Sequence, residues 1–299
     1  MKFISEKALA KGHAKINLHL DITGIEKDGY HSVNTVMQSI SLFDTVTVTL
    51  TDGEFSAESD AAGVPTDEKN IAVRAAMLFM KEIKSDRGAF IKIDKRIPME
   101  AGMAGGSADG AATLKALNSM LDTPMSTEAL CVLARKLGAD VPFCVVGGSA
   151  FADGRGDILH PFPSLPDCVI VAARGGEGVS TPWGYRLLDS VYGGFSEDCG
   201  YTPRSLEPLR KVLSEDAPSL SRIGENLYNI FEEPVLALRP VAAEIKKILL
   251  ESGSAGAMMS GSGPSVFGFF ESQAQAERAL ERISSKGYFA CVCRPTQSL

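Results

Sequence analysis

The chain has 299 residues, 44% of them hydrophobic and 22% charged, with a net charge of −7. That length accommodates one large domain or two medium ones, each able to bury a core. The acidic balance argues against nucleic acid or an anionic membrane as a bulk partner. No apolar run reaches the roughly 18 residues of a membrane span, and the first residues carry no secretory signal, so a cytoplasmic location is expected.

Residues 14–22 alternate between apolar and polar, the pattern of a strand. Period two predicts Lys15, Asn17, His19 and Asp21 on one face, with Ile16, Leu18 and Leu20 on the other. Lys27-Asp28-Gly29-Tyr30-His31 reads as a turn presenting an aromatic ring and an imidazole, and 44–50 as another alternating strand. Apolar spacing predicts a helix over 70–84 with Ala72, Ala75, Ala76, Phe79 and Ile83 as its buried stripe.

A strand at 90–93 leads into Pro98-Met99-Glu100-Ala101-Gly102-Met103-Ala104-Gly105-Gly106-Ser107-Ala108, followed by helix-forming residues to about 120. The glycines let the backbone approach a ligand closely. Ser107, beside Asp109, is expected to cap the helix. Small residues opening onto a helix N-terminus suit an anion, most often phosphate, although such turns also occur without one. The loop lacks the Lys-Ser/Thr of a Walker A motif, and neither it nor Gly261-Ser262-Gly263 completes G-x-G-x-x-G. The H-R-D and D-F-G signatures of protein kinases are absent as well.

A helix capped by Ser126 is expected to stop at Gly138, just before Ala139-Asp140-Val141-Pro142. Asp140 there either satisfies a turn or stands as a carboxylate on a rigid corner. Pro161-Phe162-Pro163 marks a boundary between domains 1–160 and 161–299, and Arg155-Gly156-Asp157 reads as a turn. Beyond it come a buried strand over 168–173, a helix opened by Ser180-Thr181-Pro182 with proline first, and a loosely structured excursion over 188–222. A loop at 259–265, a strand at 266–270, a helix over 276–283 and a strand at 288–294 complete an α+β, two-domain chain. Cys131, Cys144, Cys168, Cys199, Cys291 and Cys293 lack metal-site spacing and read as buried small hydrophobes.

Ala14-Lys15-Ile16-Asn17-Leu18, 98–107 and 259–265 stand in the order and spacing of the three motifs of the GHMP kinases, a superfamily of small-molecule kinases. The chain resembles that superfamily from Lys11 to Arg294. Asp28-Gly29-Tyr30-His31, 137–143, Val179-Ser180-Thr181, Trp183 and Tyr185 resemble the branch whose acceptor is a cytidine diphosphate-linked methylerythritol. The resemblance implies an N-terminal domain like domain 2 of ribosomal protein S5 and a ferredoxin-like C-terminal domain. It also implies transfer of the γ-phosphate of ATP, with Mg²⁺, to the acceptor's tertiary 2-hydroxyl, in non-mevalonate isoprenoid synthesis. Asp140 would be the catalytic base and Lys15 its partner, with Asn17 at the methylerythritol end. Tyr30, His31 and Tyr185 would form the cytosine pocket, and Thr181 would contact the substrate from the second domain.

By the same resemblance, Pro98 to Ala108 would wrap the triphosphate, Asn70 would lie near the adenine, and Ser107 would meet Mg²⁺. Neither nucleic acid nor membrane is an implied partner, and the chain would act as a monomer or homodimer. Three positions depart from the family loop, which usually has small residues at Glu100, Gly at Ala104 and Ser at Ala108. Glu100 is therefore expected to point away from the phosphates, and Ala104 to have a negative φ. A kinase for another alcohol, such as mevalonate or homoserine, gives Tyr30, His31 and Tyr185 no purpose. A non-catalytic sensor on the same fold gives none to Lys15 and Asp140.

Overall fold

Two long strands, β1 (Lys7–Ile25) and β2 (His31–Thr51), pair antiparallel around the turn at 26–30. Both extend well past their expected spans because the alternating core of each continues into flanks with one buried face. The computed structural model describes residues 1–195 and 199–297. β3 (Phe55–Ser59), α1 (Ile71–Glu82) and β4 (Gly88–Asp94) follow, then α2 (Gly105–Ser119), α3 (Thr127–Arg135), α4 (Val141–Val146), β5 (Ser149–Asp153) and β6 (Ile158–Pro161). Ala72, Ala75, Ala76 and Phe79 are buried as the helical period predicts, and α1 stops two residues short of Lys84, whose φ is 55°. Ser126 caps α3, its Oγ accepting from the Ala129 N–H at 3.3 Å.

The strict alternation over 14–22 breaks. Asn17 pairs with Met37 and His19 with Val36, so one residue is added to β1 between them. Such a bulge reverses the parity of everything beyond it. Leu20 therefore shares the cavity side with Lys15 and Asn17. His19 and Asp21, expected on that face, turn instead to Tyr228, Tyr201 and Arg204.

The second half contributes β7 (Val169–Arg174), α5 (Thr181–Tyr192), α6 (Glu207–Leu213), α7 (Leu220–Glu225), β8 (Tyr228–Asn229) and α8 (Glu232–Leu238). α9 (Pro240–Glu251), β9 (Gly256–Met259), β10 (Val266–Phe270), α10 (Gln273–Ser284) and β11 (Phe289–Cys293) complete it. Four of these strands form an antiparallel sheet in the order β11-β7-β10-β9. With α9 after β7 and α10 after β10, this is the split β-α-β arrangement of a ferredoxin-like unit. The other sheet has seven strands, β3-β4-β2-β1-β8 with β5 and β6 attached through β2, and β8 joins β1 in parallel.

Among its described residues the excursion at 188–222 is loose only in part: 199–206 form no helix or strand, whereas 188–192 belong to α5. α6 and the start of α7 lie within it, and Leu206, Leu209, Val212, Leu213 and Leu220 are buried in the core, with α7 against β9 and β10. Helices of six or seven residues are too short to show a helical period, which hides them among the Pro and Ser. Residues 196–198 of that stretch lie outside the described residues. Cys131, Cys144, Cys168 and Cys293 are buried, whereas Cys199 and Cys291 are half-buried. Among the described residues no helix is long and apolar enough to cross a membrane.

Candidate active site

The glycine-rich loop opens onto α2, whose first residue is Gly105. Its N-cap is Ala104, with φ 59° and ψ 31°, and no side chain caps it. Two expectations are thereby corrected: φ at 104 is positive, and Ser107 lies inside the first turn rather than at the cap. A left-handed alanine costs about 1–2 kcal/mol. It is held by buried neighbours Ala101 and Met103 and by the bonds of Lys15 N–H to Met103 O and Ala108 N–H to Ala104 O, 3.2 and 2.8 Å. The uncapped N–H groups of α2 face the cavity with the positive end of the helix dipole.

The loop at 259–265 buttresses this one. Gly102 has φ 71°, and a Cβ there would stand 2.0 Å from Ser260 O, so the two backbones touch. Ser260 Oγ donates to Gly102 O at 2.9 Å and accepts from the Asn17 N–H at 3.3 Å. Asn229 Nδ2 donates to Met259 O and Gly261 O, both at 2.8 Å.

Asp140 is the N-cap of α4, with Pro142 fixing the first turn and no side-chain cap bond. Of the two readings open for it, the free carboxylate on a rigid corner is the one observed. Its Oδ2 lies 3.7 Å from Lys15 Nζ, and Lys15 is 4% exposed against 38% for Asp140. Lys15 Nζ donates to Asn17 Oδ1 at 2.7 Å, Asn17 Nδ2 to Thr35 Oγ1 at 2.8 Å, and Thr35 Oγ1 to His19 O at 2.8 Å. That chain fixes the ammonium before any ligand arrives.

Sequence reasoning missed a buried triad under the loop. Lys95 Nζ bridges Asp44 Oδ2 at 2.6 Å and Asp109 Oδ2 at 2.7 Å. Asp44 also accepts the N–H groups of Arg96 and Ile97, which anchors the approach to the loop. Burial pushes the Asp109 carboxyl up to about 7, against the pull of Lys95. The two carboxylates hold Lys95 protonated although burial opposes it. Its only sequence trace is an Asp, a Lys and an Asp far apart in the chain.

At the opposite end stands Tyr185, perpendicular to Phe231 at 5.1 Å and tilted by 32° against His31 at 4.7 Å. Burial raises the Tyr185 phenol well above its ordinary value, and Asp140 adds to the effect. His31 Nε2 bonds Asp189 Oδ1 at 2.7 Å. Thr181 opens α5 and lines the cavity.

The cavity between these ends measures about 530 Å³. It brings together Lys15, Asn17, Asn70, Pro98 to Gly102, Ala104 to Ser107, Asp140, Thr181 and Tyr185. Met103, Ala108, Tyr30 and His31 are not in its wall. Asn70 is fixed as the α1 N-cap, accepting from Ala72 N–H at 2.9 Å and donating to Pro65 O at 2.8 Å. Glu100 turns toward the 174–179 segment, its Oε2 lying 2.6 Å from where a Gly178 Cβ would be. Lys95 and Arg155 in the lining are each paired with two carboxylates, and Lys15 with Asp140, so the positive end of α2 and Lys69 are left to attract an anion.

A glycine-rich loop on a helix N-terminus and a lysine-paired carboxylate in one cleft describe a small-molecule phosphotransferase site. The GHMP kinases N terminal domain matches residues 70–148, and the GHMP kinases C terminal domain residues 206–288. The 4-diphosphocytidyl-2-C-methyl-D-erythritol kinase of Clostridium acetobutylicum is 40% identical over 90% of this chain and 92% of its own. The kinase of that name from Acetivibrio thermocellus is 39% identical over 98% and 100%. The crystal structure of a 4-(cytidine 5'-diphospho)-2C-methyl-D-erythritol kinase, 30% identical, superposes with a TM-score of 0.74 over 96% of this chain and 98% of that one. The chain therefore belongs to the GHMP kinases, and within them to the 4-diphosphocytidyl-2-C-methyl-D-erythritol kinase family. Membership makes it an ATP-dependent kinase of a small molecule.

Proposed function

We propose that the chain phosphorylates the 2-hydroxyl of 4-diphosphocytidyl-2-C-methyl-D-erythritol with ATP, a step of the non-mevalonate isoprenoid pathway carried out in the cytoplasm by a monomer or homodimer. The observation that carries the chemistry is the free Asp140 carboxylate 3.7 Å from Lys15 Nζ, in the cleft that the α2 N-terminus opens into. The substrate follows from the names of the relatives. In the division we propose, residues 1–160 supply the phosphate loop and the base, and 161–299 close the acceptor end.

Asp140 takes the proton of the acceptor hydroxyl as the hydroxyl oxygen attacks the γ-phosphorus, and the bond from that phosphorus to the β,γ-bridging oxygen breaks to release ADP. Lys15 orients that oxygen and offers its ammonium to the charge spreading over the transferred group. The N–H groups at Gly105, Gly106 and Ser107 hold the triphosphate without reorganising. Among the described residues no three His, Cys, Asp or Glu cluster to hold a metal. That fits Mg²⁺ carried mainly by phosphate oxygens and water, with Ser107 Oγ the side chain in place to join them. When bound, the ion neutralises charge on the β- and γ-phosphate oxygens. Tyr185 and Phe231 wall the acceptor side, Asn17 meets the methylerythritol end, and Asn70 stands near the adenine.

The test is ADP release with ATP, Mg²⁺ and the cytidyl acceptor. Background release by the wild type, or equal use of an alcohol lacking cytidine, refutes the assignment. Asp140→Asn should lower kcat by about 10²–10⁴-fold with ATP affinity retained; near-wild-type turnover would remove Asp140 from the role of base.

A further inference from the structure

A second cleft, of about 580 Å³, lies where β11, the edge strand of the four-stranded sheet, meets β2. Backbone bonds join the two strands beside it. The Ser41 N–H donates to Arg294 O at 2.9 Å, the Arg294 N–H to Ser41 Oγ at 3.0 Å, and the Thr296 N–H to Ser39 O at 2.9 Å. Phe43 and Phe289 give the cleft apolar walls, Arg96, Asp60 and Asp94 give it charges of both signs, and Cys291 lines it. None of these residues belongs to the wall of the active-site cavity. Cys291 is a free, half-buried thiol, whereas Cys131, Cys144, Cys168 and Cys293 are buried. Period two along β11 puts Cys293 on the same face. A hydrogen bond from the Cys293 side chain, with the Ala172 backbone adding to it, lowers the Cys291 thiol below its ordinary value. Burial meanwhile pushes Cys144 and Cys168 up to about 12.

We propose that Cys291 is a site of reversible S-thiolation, and that this cleft seats the low-molecular-weight thiol attached there, a peptide-sized zwitterion carrying both carboxylate and ammonium. The cleft is of the size that holds small molecules. Arg96 offers a fork of donors to a carboxylate, and Asp60 and Asp94 can accept from an ammonium. The exchange consumes a disulfide of that thiol. The Cys291 thiolate attacks one sulfur, a new S–S bond forms as the old one breaks, and the other half departs as a thiolate that takes up the proton Cys291 gave up. A further thiol reverses the exchange. The adduct does not pass on to Cys293. Residues two apart on a strand have Cα atoms about 6.7 Å apart, at the far limit of about 6.8 Å for a disulfide. A bond between the two cysteines would therefore buckle β11 where it pairs with β7. The site stands apart from the phosphotransfer cleft and does not depend on which acceptor is used there.

The full chain incubated with glutathione disulfide, then mapped by mass spectrometry of its peptides without reduction, tests this. The first adduct should fall on Cys291, form about tenfold faster than on Cys199, the other half-buried thiol, and be removed by dithiothreitol. Capping of Cys199 first overturns the proposal, as does the absence of an adduct at Cys291 or a Cys291–Cys293 disulfide in its place. Arg96→Ala should slow capping by glutathione disulfide about fivefold, with the rate for neutral 2-hydroxyethyl disulfide within about twofold of wild type. Unchanged capping by glutathione disulfide in Arg96→Ala overturns the cleft as the seat of the thiol. Equal slowing with both reagents overturns it too, because the variant would then be disturbing Cys291 itself. Should Arg96→Ala fold poorly, added salt makes the same comparison on the wild type, since it screens the charged reagent and not the neutral one.

Discussion

Asp109→Asn offers a sharp test of the electrostatics under the phosphate loop. Asp109 is 3% exposed, shares Lys95 with Asp44, and has an Oδ1 without a hydrogen-bond partner. Burial raises its carboxyl from 3.8 to about 7. The folded chain therefore holds this proton more tightly than the unfolded chain does. Stability is undiminished below pH 3.8 and falls as pH rises toward 7. At about 1.4 kcal/mol per pH unit, the ionised carboxylate costs the folded state about 4 kcal/mol at pH 8. Asparagine removes that cost and still accepts from Lys95, but it buries an amide N–H₂ where Oδ1 stood alone, at about 2 kcal/mol. The net gain is about 2 kcal/mol at pH 8, a Tm rise of about 4 °C for a chain of this size. Near pH 5 the two effects cancel and the melting points should coincide. Calorimetry of both proteins at the two pH values decides. A variant that melts below wild type at pH 8, or a difference equal at both, would falsify the account of the triad.

His19 should act in the opposite direction. Burial lowers its imidazole to about 4, so the unfolded chain takes up a proton below pH 6.5 that the folded chain refuses. Stability then drops as pH falls from 6.5 to 4, by about 3 kcal/mol. His19→Gln should flatten that limb, and an unchanged acid slope in calorimetric Tm would count against it. Gly178→Ala puts a Cβ 2.6 Å from Glu100 Oε2 and 2.9 Å from Glu100 Cβ. It should cost about 1–3 kcal/mol by overpacking and raise KM for ATP through the displaced loop. Adding Glu100→Gly should restore both readings, and failure of that rescue would place the strain elsewhere.

Much of the site was legible in the sequence. Three motifs located Lys15, the phosphate loop and its buttress. Asp140, before Pro142, stayed open between a turn residue and a presented carboxylate, and only the family resemblance gave it the role of base. What escaped depends on geometry that spacing does not encode. A single added residue between Asn17 and His19 moved His19 and Asp21 to another face, and residue types alone do not mark a bulge. Ala104 takes a glycine's conformation because its neighbours pin it, a tertiary effect. Arg155 read as a plain turn residue, since the groups that hold it, Glu26, Asp28 and Tyr30, are over a hundred positions away.

The two-residue strand β8 carries a consequence for how the chain is assembled. It docks on β1 in parallel, at His19 and Leu20. Asn229 meanwhile clamps the loop that supports the phosphate site. Residues up to 160 therefore leave the ribosome with a bare strand edge on β1, and it stays bare until the chain has been made past Asn229. Folding of the catalytic half waits on the other half. A strand edge left unpaired for some seventy codons is a window for chaperone capture or misassembly, so the rate of translation through that interval bears directly on the yield of active enzyme.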